Sequence, residues 1–416
     1  MMSEFNPVWR LKINSVDYSS LILANLSITS GRTDIYQQPV AGYINLSLIN
    51  LDQTIYTFGI NQSVTIELQD STATFIPIFG GSITDIDLSV SQVGSVAYAQ
   101  TYQITALGAL ARLPKTLFED SLPEENDGDQ IYEVLRGILL NQWQQVPGAL
   151  TWATYDPATT WEDAENNGLG EIDRPGNYTL IGRTADPIDS YSLAASIALS
   201  GLGYLYESST GAIGYADSTH RTTYLSTNGY IDLSAAQARA AGLTIRTRSG
   251  DVRNQIALTY GAGGAGRYET SDLDSITAYG KLGQVFSTLL KNAIDAESQG
   301  DFYLSLRANP QAIFDNITYD LTNNLIDDGD RNSLINVFMG MPLNISDLPL
   351  NMNAGQFLGF VEGWTWTASY NSVAIKLFVS PIAFSLQAMT WSDVPINEIW
   401  SSLNPGLDYL NATIVA

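Results

Sequence analysis

Chemistry in this chain would have to be built from few parts. There is no cysteine and a single histidine, His220. Disulfides and thiolate metal sites are excluded, a zinc site of several histidines cannot form, and a Ser-His-Asp triad would have to use His220. His220 sits between Thr219 and Arg221 in a polar stretch and reads as an exposed loop residue. Acids are plentiful. Glu162, Asp163 and Glu165 follow Trp152 and Trp161, and aromatic platforms beside paired carboxylates suit polysaccharides. Glycoside hydrolysis needs two carboxyl groups about 5–10 Å apart, one with a raised pKa, so a solvated acidic loop is the default reading. Asn126-Asp127-Gly128-Asp129 and Asp327-Asp328-Gly329-Asp330 have the composition of calcium loops but lack a glutamate at position twelve, and read as turns. Gly261-Ala262-Gly263-Gly264-Ala265-Gly266 matches G-x-G-x-x-G after a predicted strand. A dinucleotide site needs a helix opening inside the glycines. The following Arg267–Asp272 is polar and reads as a loop, so a flexible connection is expected. No catalytic, cofactor-binding or metal-binding residue is assigned, and no enzymatic activity is expected.

Composition narrows the class. The chain has 416 residues, enough for two or three domains; 45% are hydrophobic and only 15% charged. Ser, Thr, Asn, Gln and Tyr fill the gap, which suits extended β-structure and large protein contacts. The formal net charge of −24 opposes stable binding to nucleic acid, because duplex binding neutralises phosphates with Lys and Arg. No apolar run approaches the roughly 20 residues of a membrane span. The opening MMSEFNPVWRLKI lacks the pattern of a signal peptide.

The elements follow from periodicity. Trp9, Leu11 and Ile13 alternate with Arg10 and Lys12, as do Ile44, Leu46 and Leu48, then Val64, Ile66 and Leu68, then Ile86, Leu88 and Val90, with their polar neighbours. Alternation of this kind marks strands with one buried face. A short helix is expected around Ala106–Leu113. Residues 115–186 open with an acidic stretch, Glu119–Asp129, then a helix capped by Asp129 with Ile131, Val134, Leu135 and Ile138 on one face. A loop-rich segment with Trp143, Trp152 and Trp161 follows. Residues 187–250 read as a small α+β domain: a helix from Ser190, a hairpin about Ser208–Gly211 and a short helix at Ser234–Ala241. From 251 the pattern returns to β, with a helical stretch inside Gln284–Leu306. Trp364, Trp366, Trp391 and Trp400 read as core or interface. Asn332 to the end holds five acids and one base, Lys376, as expected of a surface buried in an assembly.

One pattern occurs twice. Phe79-Gly80-Gly81-Ser82-Ile83-Thr84-Asp85-Ile86-Asp87-Leu88 can be laid on Phe357-Leu358-Gly359-Phe360-Val361-Glu362-Gly363-Trp364-Thr365-Trp366, sharing F-x-G-x-[IV]-x-x-[IW]-x-[LW]. A predicted strand precedes each copy and another follows. The expectation is two copies of one β-domain with an α+β segment between them.

Several motifs carry a resemblance. They are the W-x-[LV]-K-I-N-x-x-x-Y opening, L-x-I-x-x-G-R at Leu26–Arg32, the following Q-P-x-A-G-Y, the hairpin GYLYESSTGAIGYAD, and the late F-L-G-F-V-E-G-W and S-P-I-A-F-S runs. With them the chain resembles the baseplate (tail-tip) hub proteins of tailed phages, the hub type of siphophage minor tail protein. The resemblance implies a mainly β fold with α+β insertions: two tube-type β-barrel domains related by duplication plus peripheral α+β domains. The implied divisions are a first barrel at 1–114, an insertion at 115–186, an α+β domain at 187–250, a second barrel with a helix at 251–390 and a tail segment at 391–416. It implies a homotrimer in the virion tail tip, joining a tube ring or distal tail protein to a central fibre or spike, near the tape measure protein. DNA would pass without specific binding. Asp85 and Asp87, opposite Ile86 and Leu88, are then candidate lumen-facing acids. Two rival readings are a carbohydrate-binding or carbohydrate-cleaving tail protein, and a distal tail protein.

Overall fold

The computed structural model describes residues 5–33, 35, 37–52, 54–91, 99–139, 169–238, 245–314, 316–352, 355–369, 371–382 and 385. The Trp143, Trp152, Trp161, Glu162, Asp163, Glu165, Trp391 and Trp400 positions lie outside the described residues.

The first set of strands is β1 (Trp9–Ile13), β2 (Ile22–Gly31), β3 (Tyr43–Asn50), β4 (Ser63–Gln69), β5 (Phe75–Val90) and β6 (Gln100–Leu107). Their spatial order is β1-β4-β5-β6-β3-β2, antiparallel throughout. Alternation buries Ile13, Leu26, Ile28, Ile44, Leu46, Ile66, Ile83 and Ile104 on one side. A 3-10 turn, Ala109–Lys115, stands where a helix from Ala106 is expected; β6 holds its pairing to Leu107.

The middle of the chain supplies helix α1 (Asp127–Leu139), helix α2 (Ser190–Ser200) and the hairpin β7 (Tyr204–Glu207) and β8 (Ile213–Ala216). Helix α1 opens at Asp127, two residues before the expected cap. Asp189, whose side chain accepts from the Ser192 backbone N–H, caps α2. Helix α3 (His220–Asn228) follows where the sequence suggests a loop.

The second set begins earlier than residue 251. Strand β9 (Ile231–Ser234) ends where the expected helix at Ser234–Ala241 would begin; a 3-10 turn at Ala235–Gln237 follows it, and 239–241 lie outside the described residues. Strand β10 (Ile245–Thr247) comes next. Strands β11 (Gln255–Tyr260), β12 (Gly266–Ser271) and β13 (Gly283–Ser287) then form a separate three-stranded sheet under helix α4 (Ala293–Arg307). Their Ile256, Leu258, Phe286 and Ala296 pack with Val134, Leu135, Leu193 and Ile197 of α1 and α2, in a core distinct from that of the large sheet. The span 251–390 is therefore divided between two cores, because a sheet-and-helix unit interrupts the second set. That set resumes with β14 (Ala312–Phe314), β15 (Ile317–Asp320), helix α5 (Asp328–Ile335), β16 (Pro342–Ser346), β17 (Phe357–Ser369) and β18 (Ser372–Pro381).

The two sets pair alike. Ile66 faces Phe79 and Val64 faces Gly81; Ile345 faces Phe357 and Leu343 faces Gly359. Ile86 faces Ile104 and Leu88 faces Tyr102; Trp364 faces Leu377 and Trp366 faces Ile375. The register shifts between Ile83 and Asp85, and again between Val361 and Gly363. The repeated pattern thus marks equal pairing and an equal bulge. Its glycines have one cause: a Cβ on Gly81 would lie 2.3 Å from the Leu107 carbonyl oxygen, and one on Gly359 would lie 2.3 Å from the Ser380 carbonyl oxygen. Direction differs in one place, since β1 is antiparallel to β4 while β9 is parallel to β16.

The sets also share hydrogen bonds. Strand β17 pairs with β18 on one side and with β2 on the other, Trp366 opposite Ile28 and Ala368 opposite Leu26, so a 12-stranded sheet runs through both. The residue types and alternation give a mainly β fold with α+β insertions.

Candidate functional site

The large sheet has one face buried and one polar. On the polar face, Asp85, Thr105, Asn45, Ser27 and Thr367 lie side by side across β5, β6, β3, β2 and β17. The next row is Asp87, Gln103, Ser47, Asn25 and Ser369. Another row runs Thr29, Thr365, Lys376 and Thr318. The opposite face of the same strands carries Ile86, Ile104, Leu46, Leu26, Ala368 and Val373. Such alternation in an antiparallel sheet places one face on the core and one toward water.

The polar face is short-chained and nearly neutral. Asp85 and Asp87 are exposed, as are Asn25, Asn45, Gln103 and Thr367. Gln103 Nε2 donates to Ser47 Oγ at 2.9 Å, which ties neighbouring strands on this side. Lys376 stands 5.1 Å from the Phe378 ring centroid and Asp320 accepts from Thr322. Hydroxyl and amide side chains of this kind offer hydrogen bonds to water, and Lys376 is the cation in these rows.

Behind the bulge on β17 lies a charged cluster that sequence reasoning misses. The displaced residue is Glu362, which is buried, with 2% of its surface exposed. Arg221 of α3 reaches it with two prongs, Nη1 to Oε1 at 2.8 Å and Nη2 to Oε2 at 3.0 Å. Arg32, just beyond β2, adds Nε to Oε2 at 2.7 Å, and Ser380 Oγ donates to Oε1 at 2.6 Å. Burial alone would raise the Glu362 pKa; Arg221, Arg32 and Ser380 outweigh it and hold the carboxyl at about 2. Gly31 has φ +80°, and a Cβ there would meet the Gly363 Cα at 2.6 Å, so the L-x-I-x-x-G-R motif supplies two core residues, the close approach and the cation. The sequence signal was available: Glu362 is the only acid between Asp347 and Asp393.

A second, half-buried glutamate joins the first strand set to the β7–β8 hairpin. Glu207 accepts from the backbone N–H groups of Gly42 at 2.7 Å and Leu110 at 2.6 Å. Burial pushes its pKa up to about 7 against those two donors. The Q-P-x-A-G-Y motif serves the same seam: Gln38 Nε2 donates to the Gly203 carbonyl, Gln38 Oε1 accepts from the Leu205 N–H, and Tyr191 donates to the Pro39 carbonyl.

The other candidates are placed as follows. His220 opens α3 half-buried, with Nδ1 2.8 Å from Asp173 Oδ2; this hydrogen bond, opposed by burial, raises the histidine pKa. It is not an exposed loop residue, because the Asp217 turn feeds a helix. Gly261–Gly266 turns the hairpin between β11 and β12, and Arg267–Ser271 is strand rather than loop. Asp127 is buried, holds the Tyr178 N–H at 2.8 Å and accepts from the Tyr215 hydroxyl at 2.5 Å; burial, outweighing these bonds, raises its pKa. Asp327 caps α5 by accepting from the Asp330 N–H. Among the described residues no group of three or more His, Asp or Glu is arranged to hold a metal ion, and no helix is long and apolar enough to cross a membrane.

The fold has known counterparts. It superposes on a tail protein from Neisseria meningitidis MC58 with a TM-score of 0.57 at 10% identity, covering 91% of this chain and 98% of that one. The 43 kDa tail protein of prophage MuSo2 from Shewanella oneidensis gives 0.56 at 10% identity, covering 91% and 99%. This chain shares the fold of phage tail proteins. No protein-family model and no curated protein matches its sequence.

Proposed function

We propose that the chain is a structural, non-enzymatic hub of a phage tail tip or baseplate, assembled as a homotrimeric ring in the virion. The supporting observation is the pair of strand sets with one spatial order, one register and one bulge, joined edge to edge between β17 and β2. Three such chains present six similar units, which matches a sixfold tube ring or distal tail protein on one side. The chain-level symmetry stays threefold, matching a central fibre or spike on the other. Closed rings of this kind use two different faces of each subunit. The polar face, with Asp85 and Asp87 among its few charges, is the proposed wall of the DNA exit channel, beside the path of the tape measure protein. The two sets are unequal, since Trp364 and Trp366 stand where the first has Ile86 and Leu88; a pseudo-sixfold ring allows that and a true sixfold ring forbids it. The test is the mass of the purified assembly together with the position of the chain in a virion reconstruction. Three copies per ring is the expected result; six copies per ring would overturn it.

A further inference from the structure

Equivalent positions in the two sets have unequal surroundings. In β17, the stretch Gly363–Ser369 is paired on both sides, by β18 and by β2. Its equivalent in β5, Asp85–Val90, is paired by β6 on one side. Among the described residues no strand pairs its other edge. The side chains report the same difference. Trp366 is fully buried and its equivalent Leu88 is 53% exposed, with Val90 at 38%. The first set therefore lacks the neighbour that β2 provides to the second.

The chain contains a strand that corresponds to β2. In the first set β2 pairs with β3, and β3 with β6; in the second β10 pairs with β14, and β15 with β18. Leu46 faces Ile104 as Ile317 faces Leu377. Phe314 and Ile317 are both buried although three residues apart, so one extra residue lies between β14 and β15. Allowing for it, Phe314 matches Ile44. Ile245, which faces Phe314, then matches Ile28, which faces Ile44. The sequence agrees, with Leu26-Ser27-Ile28 against Leu243-Thr244-Ile245.

The β2–β17 pairing can now be transferred. Trp366 faces Ile28, Thr365 faces Thr29 and Gly363 faces Gly31. Replacing each by its equivalent sets Leu88 opposite Ile245, Asp87 opposite Arg246 and Asp85 opposite Arg248. Two acids at alternate positions meet two arginines at alternate positions, on one face. Arg248 has extended φ and ψ of −126° and 133° and is exposed, so the strand direction continues through it. Opposite charges directly across a strand pair stabilise it, and like charges oppose it. The acidic edge of β5 thus disfavours pairing with another β5.

We infer that the free edge of β5 in one copy of this chain pairs antiparallel with β10 of a second copy, with Asp85 and Asp87 against that copy's Arg248 and Arg246. This deepens the proposed ring and rests on it. It also revises the role of the two acids: they stand at the junction between copies, neutralised there, rather than as bare charges on the channel wall.

The experiment reads the oligomer mass of the full chain by sedimentation, with circular dichroism to confirm folding. Four proteins are compared: the wild type, Asp85→Arg with Asp87→Arg, Arg246→Asp with Arg248→Asp, and all four changes together. The expected result is a wild-type trimer, at least about tenfold weaker association in each double variant, and recovery in the fourfold variant. Because the chain has no cysteine, Asp87→Cys with Arg246→Cys provides a second readout, an intermolecular disulfide under mild oxidation. A wild-type trimer with unaffected double variants and no crosslink would overturn the junction and leave the ring standing. A wild-type chain that stays monomeric without crosslinking would overturn both.

Discussion

Arg221 and Glu362 are locked in a buried two-pronged pair at 2.8 and 3.0 Å, joining helix α3 to the bulge of strand β17. Arg32 takes the same carboxylate from the end of β2, so one glutamate ties three separate parts of the chain. The equivalent residue in the first set is Thr84, which donates to the Thr105 carbonyl. The bulge of the second set thus carries a buried charge where that of the first carries a hydroxyl.

Removing Glu362 should be severe. Glu362→Ala leaves two buried guanidinium groups facing each other, and breaking a buried pair in this way costs about 3–5 kcal/mol. Arg32→Ala alone should cost less, because Arg221 keeps both of its contacts. Urea unfolding midpoints of the two variants check the order. Equal losses would mean that Arg32, not the bidentate pair, carries the cluster.

The same carboxylate sets an acid limit. Its folded pKa of about 2 lies below the unfolded value near 4.3, so its contribution is complete above about pH 5. It is lost as pH falls from there toward 2, and amounts to about 3 kcal/mol. Unfolding free energy measured between pH 3 and pH 6 should fall with acidification, and Glu362→Gln should flatten that slope.

Glu207 should act in the opposite sense. Its folded pKa of about 7 lies above the unfolded value, so the folded state holds the proton more tightly. Its stabilising effect is fully present below about pH 4 and declines as pH rises to 7. Glu207→Gln removes the titration but sets an amide N–H against one of the two backbone donors, Gly42 or Leu110, so it should be less stable than the wild type at pH 5, and the gap should narrow by pH 8 as the wild type loses its own contribution. Thermal unfolding of both proteins at pH 5 and pH 8 measures it; a variant that is less stable only at pH 8 would contradict the assignment.

Legibility followed the length of the pattern. Strands with four or more alternating residues, such as Ile44–Leu48 and Val64–Leu68, are visible because period two survives in sequence. The F-x-G pattern was visible because a glycine beneath a crossing carbonyl cannot be exchanged. Strands β9 and β10, with four and three residues, carried too short a pattern, and the intervening β11–β13 unit hid their link to β14. Helix α3 was missed because HRTTYLSTN lacks an apolar stripe; Arg221 and Leu225 are its buried residues. The Arg246 and Arg248 pattern had no meaning until β10 could be set beside β2.

A second consequence concerns DNA. Asn25, Asn45 and Gln103 are exposed on the polar face and none carries charge. Changing all three to Lys places nine cations on that face of a trimer, and log affinity for duplex DNA should then fall steeply with log salt. The wild type should show no retention of a short duplex in the same gel-shift assay. Salt-dependent binding by the wild type would contradict a non-adhesive channel wall.

Leu88 and Trp366 provide the sharpest comparison within the chain. They hold equivalent places, opposite Tyr102 and Ile375, yet one is half exposed and the other fully buried. Deleting a buried tryptophan leaves a cavity, and Trp366→Ala should cost about 3–5 kcal/mol in any assembly state. Leu88→Ala removes a side chain that mostly faces solvent in the single chain, so it should change that chain's stability by no more than about 0.5 kcal/mol. Its effect should appear on assembly, where the neighbouring strand would cover it, as a lower trimer melting temperature at equal protein concentration. Unfolding measured at low concentration, where the chain is dissociated, and at high concentration, where it is assembled, separates the two. A concentration-independent loss for Leu88→Ala equal to that for Trp366→Ala would show that the first set is already covered within one chain.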